Sequence, residues 1–361
     1  MRERDWRKFD IYIPITIFLM LMVSCTEIYF STKNIFGTTY LTRQIIWGVV
    51  GFLLFFIILF FDHYYLNQTI YILYGAGILI LIFVLIFGIE KHGAKSWLQI
   101  GSLSFQPSEI VKVIVILTLA KYFSEINTRY LTISNILISG FILFLPISLI
   151  ILQRDLGTAL TLIPVYLAFL ILGGLRKKIV ILSIILGIIV GVGSWNFLKD
   201  YQKKRILAIF NPEMDPSGIN YQTIQSVIAI GSGGLTGKGL GKGSQGSMGF
   251  LPEKHTDFIF SIISEELGFI GGVGVLLLYF FLFYRSLIDL FDTSDLFRIY
   301  STTGIITLYM FHLFVNVGMA IGFLPVIGIP LAPISYGGSS VISFLTSFGI
   351  VENFRIYRFL V

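Results

Sequence analysis

Runs of apolar residues about 20 long, parted by short polar stretches, recur along the chain from Ile11 almost to its end. A hydrocarbon core about 30 Å thick is crossed by about 20 helical residues, so each run predicts one membrane span. Ten spans are expected, at 11–31, 43–61, 69–88, 107–123, 132–152, 158–174, 178–198, 257–284, 299–324 and 334–354. Lipid offers backbone N–H and C=O groups no partner, which favours helices that satisfy their own. Short links between runs predict antiparallel neighbours in a compact bundle. The expected fold is all-α: a polytopic integral membrane helical bundle of about ten transmembrane helices. It forms one domain over 1–361 with a single long loop at 199–256.

Composition agrees with that pattern. Of 361 residues 55% are hydrophobic and only 13% charged, with mean hydropathy +0.86. Soluble domains are roughly 25% charged. Cys25 is the sole cysteine, which excludes a disulfide framework. His63, His92, His255 and His312 are scattered, and none forms a zinc-type pair. The first apolar run lacks a small-residue cleavage site and is read as a retained helix. No 20–50-residue repeat is evident.

Lysine and arginine placement orients the bundle. With the N-terminus inside, the short inside segments hold 13 such residues (Arg2, Arg4, Arg7, Lys8, Lys121, Arg129, Arg176, Lys177, Lys178, Arg285, Arg298, Arg355, Arg358). The short outside segments hold 5: Lys33, Arg43, Lys91, Lys95 and Arg154. The positive-inside rule therefore puts both termini in the cytoplasm. The net charge of +6 is mostly this topological signal, and nucleic acid need not be invoked. Three polar segments then share the outer face with the Pro325–Pro333 hairpin: Gly93–Ser108, Gln153–Thr158 and the long loop.

Several constellations there bear chemistry. Nine glycines between Gly231 and Gly249 suggest a mobile gating loop whose backbone can approach a ligand closely. Its lysines do not make a P-loop, because Ser232 and Gly239 stand where that motif needs Gly and Ser or Thr. Asp257 closes the loop at the mouth of a span. There it is either a helix cap or, partly desolvated, a proton acceptor. Glu109 and Lys112 are three apart on one helix face, as a buried ion pair or as the charged wall of a cavity. Arg154 and Asp155 break another apolar stretch; they face water or line a cavity where Arg154 grips phosphate. Lys203, Lys204 and Arg205 form a basic run, a surface patch or a lipid-diphosphate docking site. In GIPLAPISYGGSS, Tyr336 and Ser339 contact ligand or satisfy backbone groups freed by a broken helix.

The strings GAKSWLQIGSLSFQPSEIVKV, DLGTA, YQTIQSVIAIGSGGLTGKGLGKGSQ, FLPEKHTDFIFSIISEELG, NVGMAIGFLPVIGIP and ISYGGSS stand in that order. Together they resemble the SEDS family of bacterial cell-wall proteins (RodA, FtsW, SpoVE), most closely its RodA branch. Two positions depart from the family pattern: Arg154 replaces a proline, and Ala332-Pro333 replaces Pro-Phe. The resemblance implies a peptidoglycan glycosyltransferase that polymerises lipid II at the outer face of the bacterial cytoplasmic (inner) membrane. It implies an essential aspartate at Asp257, a motif tryptophan at Trp97, and functional positions at Glu109, Lys112 and Asp155. Implied partners are a class B penicillin-binding protein transpeptidase and the membrane proteins of the elongation complex.

From the reaction itself, a sugar hydroxyl needs a base, for which Asp257 is the candidate. Departing undecaprenyl diphosphate needs cations, for which Lys112, Arg154 and Arg205 are candidates. Trp97, Glu109, Asp155, Tyr336 and Ser339 complete the expected substrate-binding set. No metal ligand set is expected; a divalent cation could share the charge, though no carboxylate cluster specifies one. Two rival readings remain: a lipid II flippase and a scaffold for a partner enzyme.

Overall fold

The computed structural model describes residues 5–91, 93–101, 103–126, 130–175, 220–247, 251 and 253–357. Nine of the ten expected spans fall on helices. They are α1 (Tyr12–Phe36), α2 (Thr39–Ile58), α3 (His63–Phe87), α4 (Ser108–Ser124), α5 (Ile133–Leu152) and α6 (Leu156–Leu172), followed after a gap by α8 (Ile259–Ile288), α9 (Leu296–Ala320) and α10 (Gly338–Ile356). The expected span at 178–198 lies outside the described residues. Six of these helices are long and apolar enough to cross a membrane: α1, α2, α3, α5, α8 and α9.

Of the three that miss that criterion, α6 is apolar but only 17 residues long, and the other two explain the architecture. α4 and α10 carry Glu109, Lys112, Glu352 and Arg355 yet are buried along most of their length. They form the middle of the bundle. α2, α3 and α5 instead turn Leu53, Ile72, Leu79, Leu137 and Phe141 outward, as a lipid-facing wall does. Ionisable groups are tolerated at membrane depth only when they face protein or a water-filled cavity. Close approach of the inner helices depends on small residues. At Gly349 of α10, a methyl group would sit 3.0 Å from the Phe55 backbone of α2.

Two elements lie in segments read as loop. A three-stranded antiparallel sheet, β1 (Ile89–Lys91), β2 (Ala94–Ile100) and β3 (Leu103–Phe105), pairs Ile89 with Trp97 and Leu98 with Phe105. It bridges α3 and α4. The 199–256 stretch contains α7 (Tyr221–Ser232), with Ser226 and Ala229 buried, so that stretch is not loop throughout. At the N-terminal end of the bundle, Asp10 is held by Arg285 (2.5 Å) and Arg355 (2.6 Å). Its backbone N–H donates to Glu352 at 3.0 Å, which ties the chain's start to α8 and α10.

Candidate functional site

The HTDF segment enters α8 through a tight turn. The N–H groups of Thr256, Asp257 and Phe258 all point at the Glu253 carbonyl, at 3.2, 3.1 and 3.3 Å. Asp257 is half-buried. The turn is fastened to the segment before α10: Tyr336 N–H donates to His255 O at 2.8 Å, and Ser335 Oγ donates to Thr256 O at 2.5 Å. Asn316 of α9 donates through Nδ2 to Asp257 O and to Ile329 O, both at 2.9 Å. A methyl group on Gly328 would lie 3.5 Å from Asp257 Oδ2, so the carboxylate sits over that glycine.

The other polar segments reach the same junction. A methyl on Gly157, at the start of α6, would be 2.9 Å from Ile327 O, so DLGT abuts the 327–329 strip beside Asp257. Asp155 caps α6 through Thr158 N–H at 3.2 Å and accepts from Gln106 Nε2 at 2.6 Å. Gln106 N–H in turn donates to Ser339 Oγ at 2.7 Å. The sheet joins through Lys95 N–H to Gln153 O, 2.8 Å. The expected gathering of these segments at one end of the bundle is what the hydrogen bonds describe.

Burial sorts the candidates. Lys112 and Glu109 are 1% and 4% exposed and pair at 2.8 Å. Lys112 Nζ also lies 3.3 Å from His312 Nε2. This is the ion-pair alternative rather than an open cavity wall, and Ser339 is likewise buried and engaged. Trp97 is half-buried on β2, with Lys91 Nζ 5.9 Å above its ring. Tyr336 packs against Tyr40 at 4.8 Å and His255 at 5.6 Å, and hydrogen-bonds the Arg43 side chain. Arg154 stands out in a left-handed backbone conformation, 74% exposed, 3.8 Å from Glu90. Arg205 lies outside the described residues. Among those described, no group of three or more His, Cys, Asp or Glu is placed to hold a metal ion.

The glycine-rich stretch corrects one expectation. Over the described part its backbone approaches α8 rather than an open site. Lys238 and Gly239 N–H groups donate to the Glu265 and Glu266 carbonyls at 3.0 and 2.9 Å. Glu265 accepts from Lys238 Nζ at 2.7 Å and Ser244 Oγ at 3.0 Å, and Glu266 from Gly241 N–H at 2.7 Å. Nearby, burial pushes the Lys254 ammonium below its ordinary pKa, against the opposing pull of Glu266.

Sequence reasoning missed Gln44, Gln106, His312 and Asn316. Gln44 donates to Ser24 and to the Pro333 and Ser335 carbonyls, pinning the turn before α10. His312 and Asn316 had a signal: two polar residues four apart in an apolar run share one helix face.

The fold defines a multi-pass helical membrane protein in which the polar segments around Asp257 and Asp155 gather at one end of the bundle, away from the Asp10–Arg285–Arg355 cluster. The chain belongs to the cell cycle protein family of FtsW, RodA and SpoVE, whose model matches residues 7–359. It is 39% identical over 287 residues to the peptidoglycan glycosyltransferase MrdB of Escherichia coli K12, covering 79% of this chain and 77% of that one. To the peptidoglycan glycosyltransferase RodA of Treponema pallidum it is 30% identical, over 98% of this chain and 99% of the relative. It also matches a chain from a solved peptidoglycan synthase complex, described as coordinating polymerization and crosslinking. The TM-score is 0.83 and the identity 31%, over 97% of this chain and 98% of that one. The resemblance drawn from the motifs is therefore met.

Proposed function

We propose that Asp257 is the base of a glycan-polymerising reaction on lipid II, at the outer face of the bacterial cytoplasmic membrane. The enzyme class is plain from the relatives: a peptidoglycan glycosyltransferase of cell-wall elongation. One observation supports the residue assignment most. Asp257 is a half-buried carboxylate where the HTDF turn, the 327–336 segment and α9 meet, with its backbone held from three sides. A base must be held near the proton it removes, in surroundings that keep its basicity.

In this reading the 4-hydroxyl of one lipid-linked unit loses its proton to Asp257. It attacks the anomeric carbon of the other unit and expels undecaprenyl diphosphate. Arg154, exposed beside Asp155 at the start of α6, is the candidate for that task, while Lys112 is committed inside the bundle. Trp97 offers a flat apolar face for a sugar ring. Asp155 and Ser339 set the walls through Gln106. Both termini lie in the cytoplasm, and a class B penicillin-binding protein crosslinks the new strand within the elongation complex. The likeness to a synthase complex supports that pairing.

The test is polymerisation of lipid II by the full chain in proteoliposomes. Asp257→Asn should slow it by about 10²–10⁴-fold, the share of a general base. A folded variant polymerising at the wild-type rate would remove Asp257 from the chemistry. Transbilayer movement of labelled lipid II without polymer would replace the reading with transport.

A further inference from the structure

We infer that Asn316 and His312 are positioning residues for Asp257, holding the backbone on both sides of its carboxylate; this rests on the reading of Asp257 as the base. The two residues are one helical turn apart on α9 and buried. Asn316 uses its amide nitrogen on two different segments, Asp257 O and Ile329 O. His312 Nδ1 faces the next carbonyl, Pro330 O, at 3.1 Å. Gly328, adjoining these two carbonyls in sequence, is the residue over which Asp257 Oδ2 sits.

The chemistry of each group fixes its orientation. A carbonyl only accepts, so His312 Nδ1 bears the proton and its Nε2 lone pair is left for Lys112. Lys112 therefore divides its donors between Glu109 and His312, and the ion pair ends on the strip beneath Asp257. Turning the Asn316 amide over would set its oxygen against two carbonyl oxygens. In the orientation present, Oδ1 is buried without a hydrogen-bond partner among the described residues. Buried acceptors are seldom left so. Here the amide geometry is set by where its two donors must reach.

The experiment measures lipid II polymerisation by the full chain in proteoliposomes, with Asp257→Ala alongside. Asn316→Asp keeps the shape and removes the donor. It should lower kcat about 100-fold, as displacement of a catalytic group by about 1 Å does, with KM within about twofold. Hydrogen exchange at 253–262 should quicken. His312→Gln can still donate to Pro330 O and accept from Lys112, so it should keep most of kcat; His312→Leu should lose it. Wild-type kcat in Asn316→Asp, or a loss in His312→Leu that His312→Gln repeats in full, overturns the inference. Should Asn316→Asp not fold, the His312 pair decides. An active Asp257→Ala instead removes the underlying reading, and with it the positioning role.

Discussion

Replacing Lys112 with methionine would strand one charge inside the bundle. Lys112 Nζ and Glu109 Oε1 are 2.8 Å apart, and both side chains are almost wholly buried. At an effective dielectric constant near 20 their attraction is about 6 kcal/mol. Desolvation takes several kcal/mol per ion, so the intact pair adds little net stability. Its loss is another matter. A buried carboxylate without its partner costs about 3–5 kcal/mol, and the His312 Nε2 acceptor left facing a thioether adds about 1–3 kcal/mol. Methionine nearly conserves volume, so cavity effects stay small. Glu109→Gln with Lys112→Met removes both charges and should recover most of the deficit. The assay is a double-mutant cycle from equilibrium unfolding in mixed micelles. A single Lys112→Met costing under about 1 kcal/mol, or a coupling indistinguishable from zero, would refute mutual neutralisation.

Two further variants probe the rim of the site and the glycine-rich stretch. Arg154→Ala breaks only an exposed pair at 3.8 Å, so unfolding should shift by less than about 1 kcal/mol; if Arg154 meets the diphosphate, KM for lipid II rises instead. Gly268 of α8 has φ 68°, and a methyl there would sit 2.3 Å from Gly237 N. Gly268→Ala should cost at least about 1–2 kcal/mol for the left-handed backbone alone and should hasten proteolysis between 233 and 243.

The positions of nine helices were readable because hydropathy is a local property that sums along the chain. Even α4 and α10, diluted by charged residues, could be recognised as spans. The Glu109–Lys112 pair was readable for the same reason, since three residues on a helix fix a shared face whatever surrounds it. Asp257 could be picked out but not judged, because a cap and a base look alike in one dimension.

What surrounds each group depends on which helices become neighbours, and no local pattern encodes that. Lys112 finds His312 across 200 residues of sequence, and Asn316 reaches back 59 to Asp257. The glycines that suggested a free loop lie against Glu265 and Glu266. The chain alone thus determined that the protein is a multi-pass membrane protein, where nine of its helices lie, and which polar segments are too costly to leave in lipid. Only packing decided which of those segments became the site at Asp257 and which became its supports, since buried donors and acceptors must find partners wherever the fold brings them together.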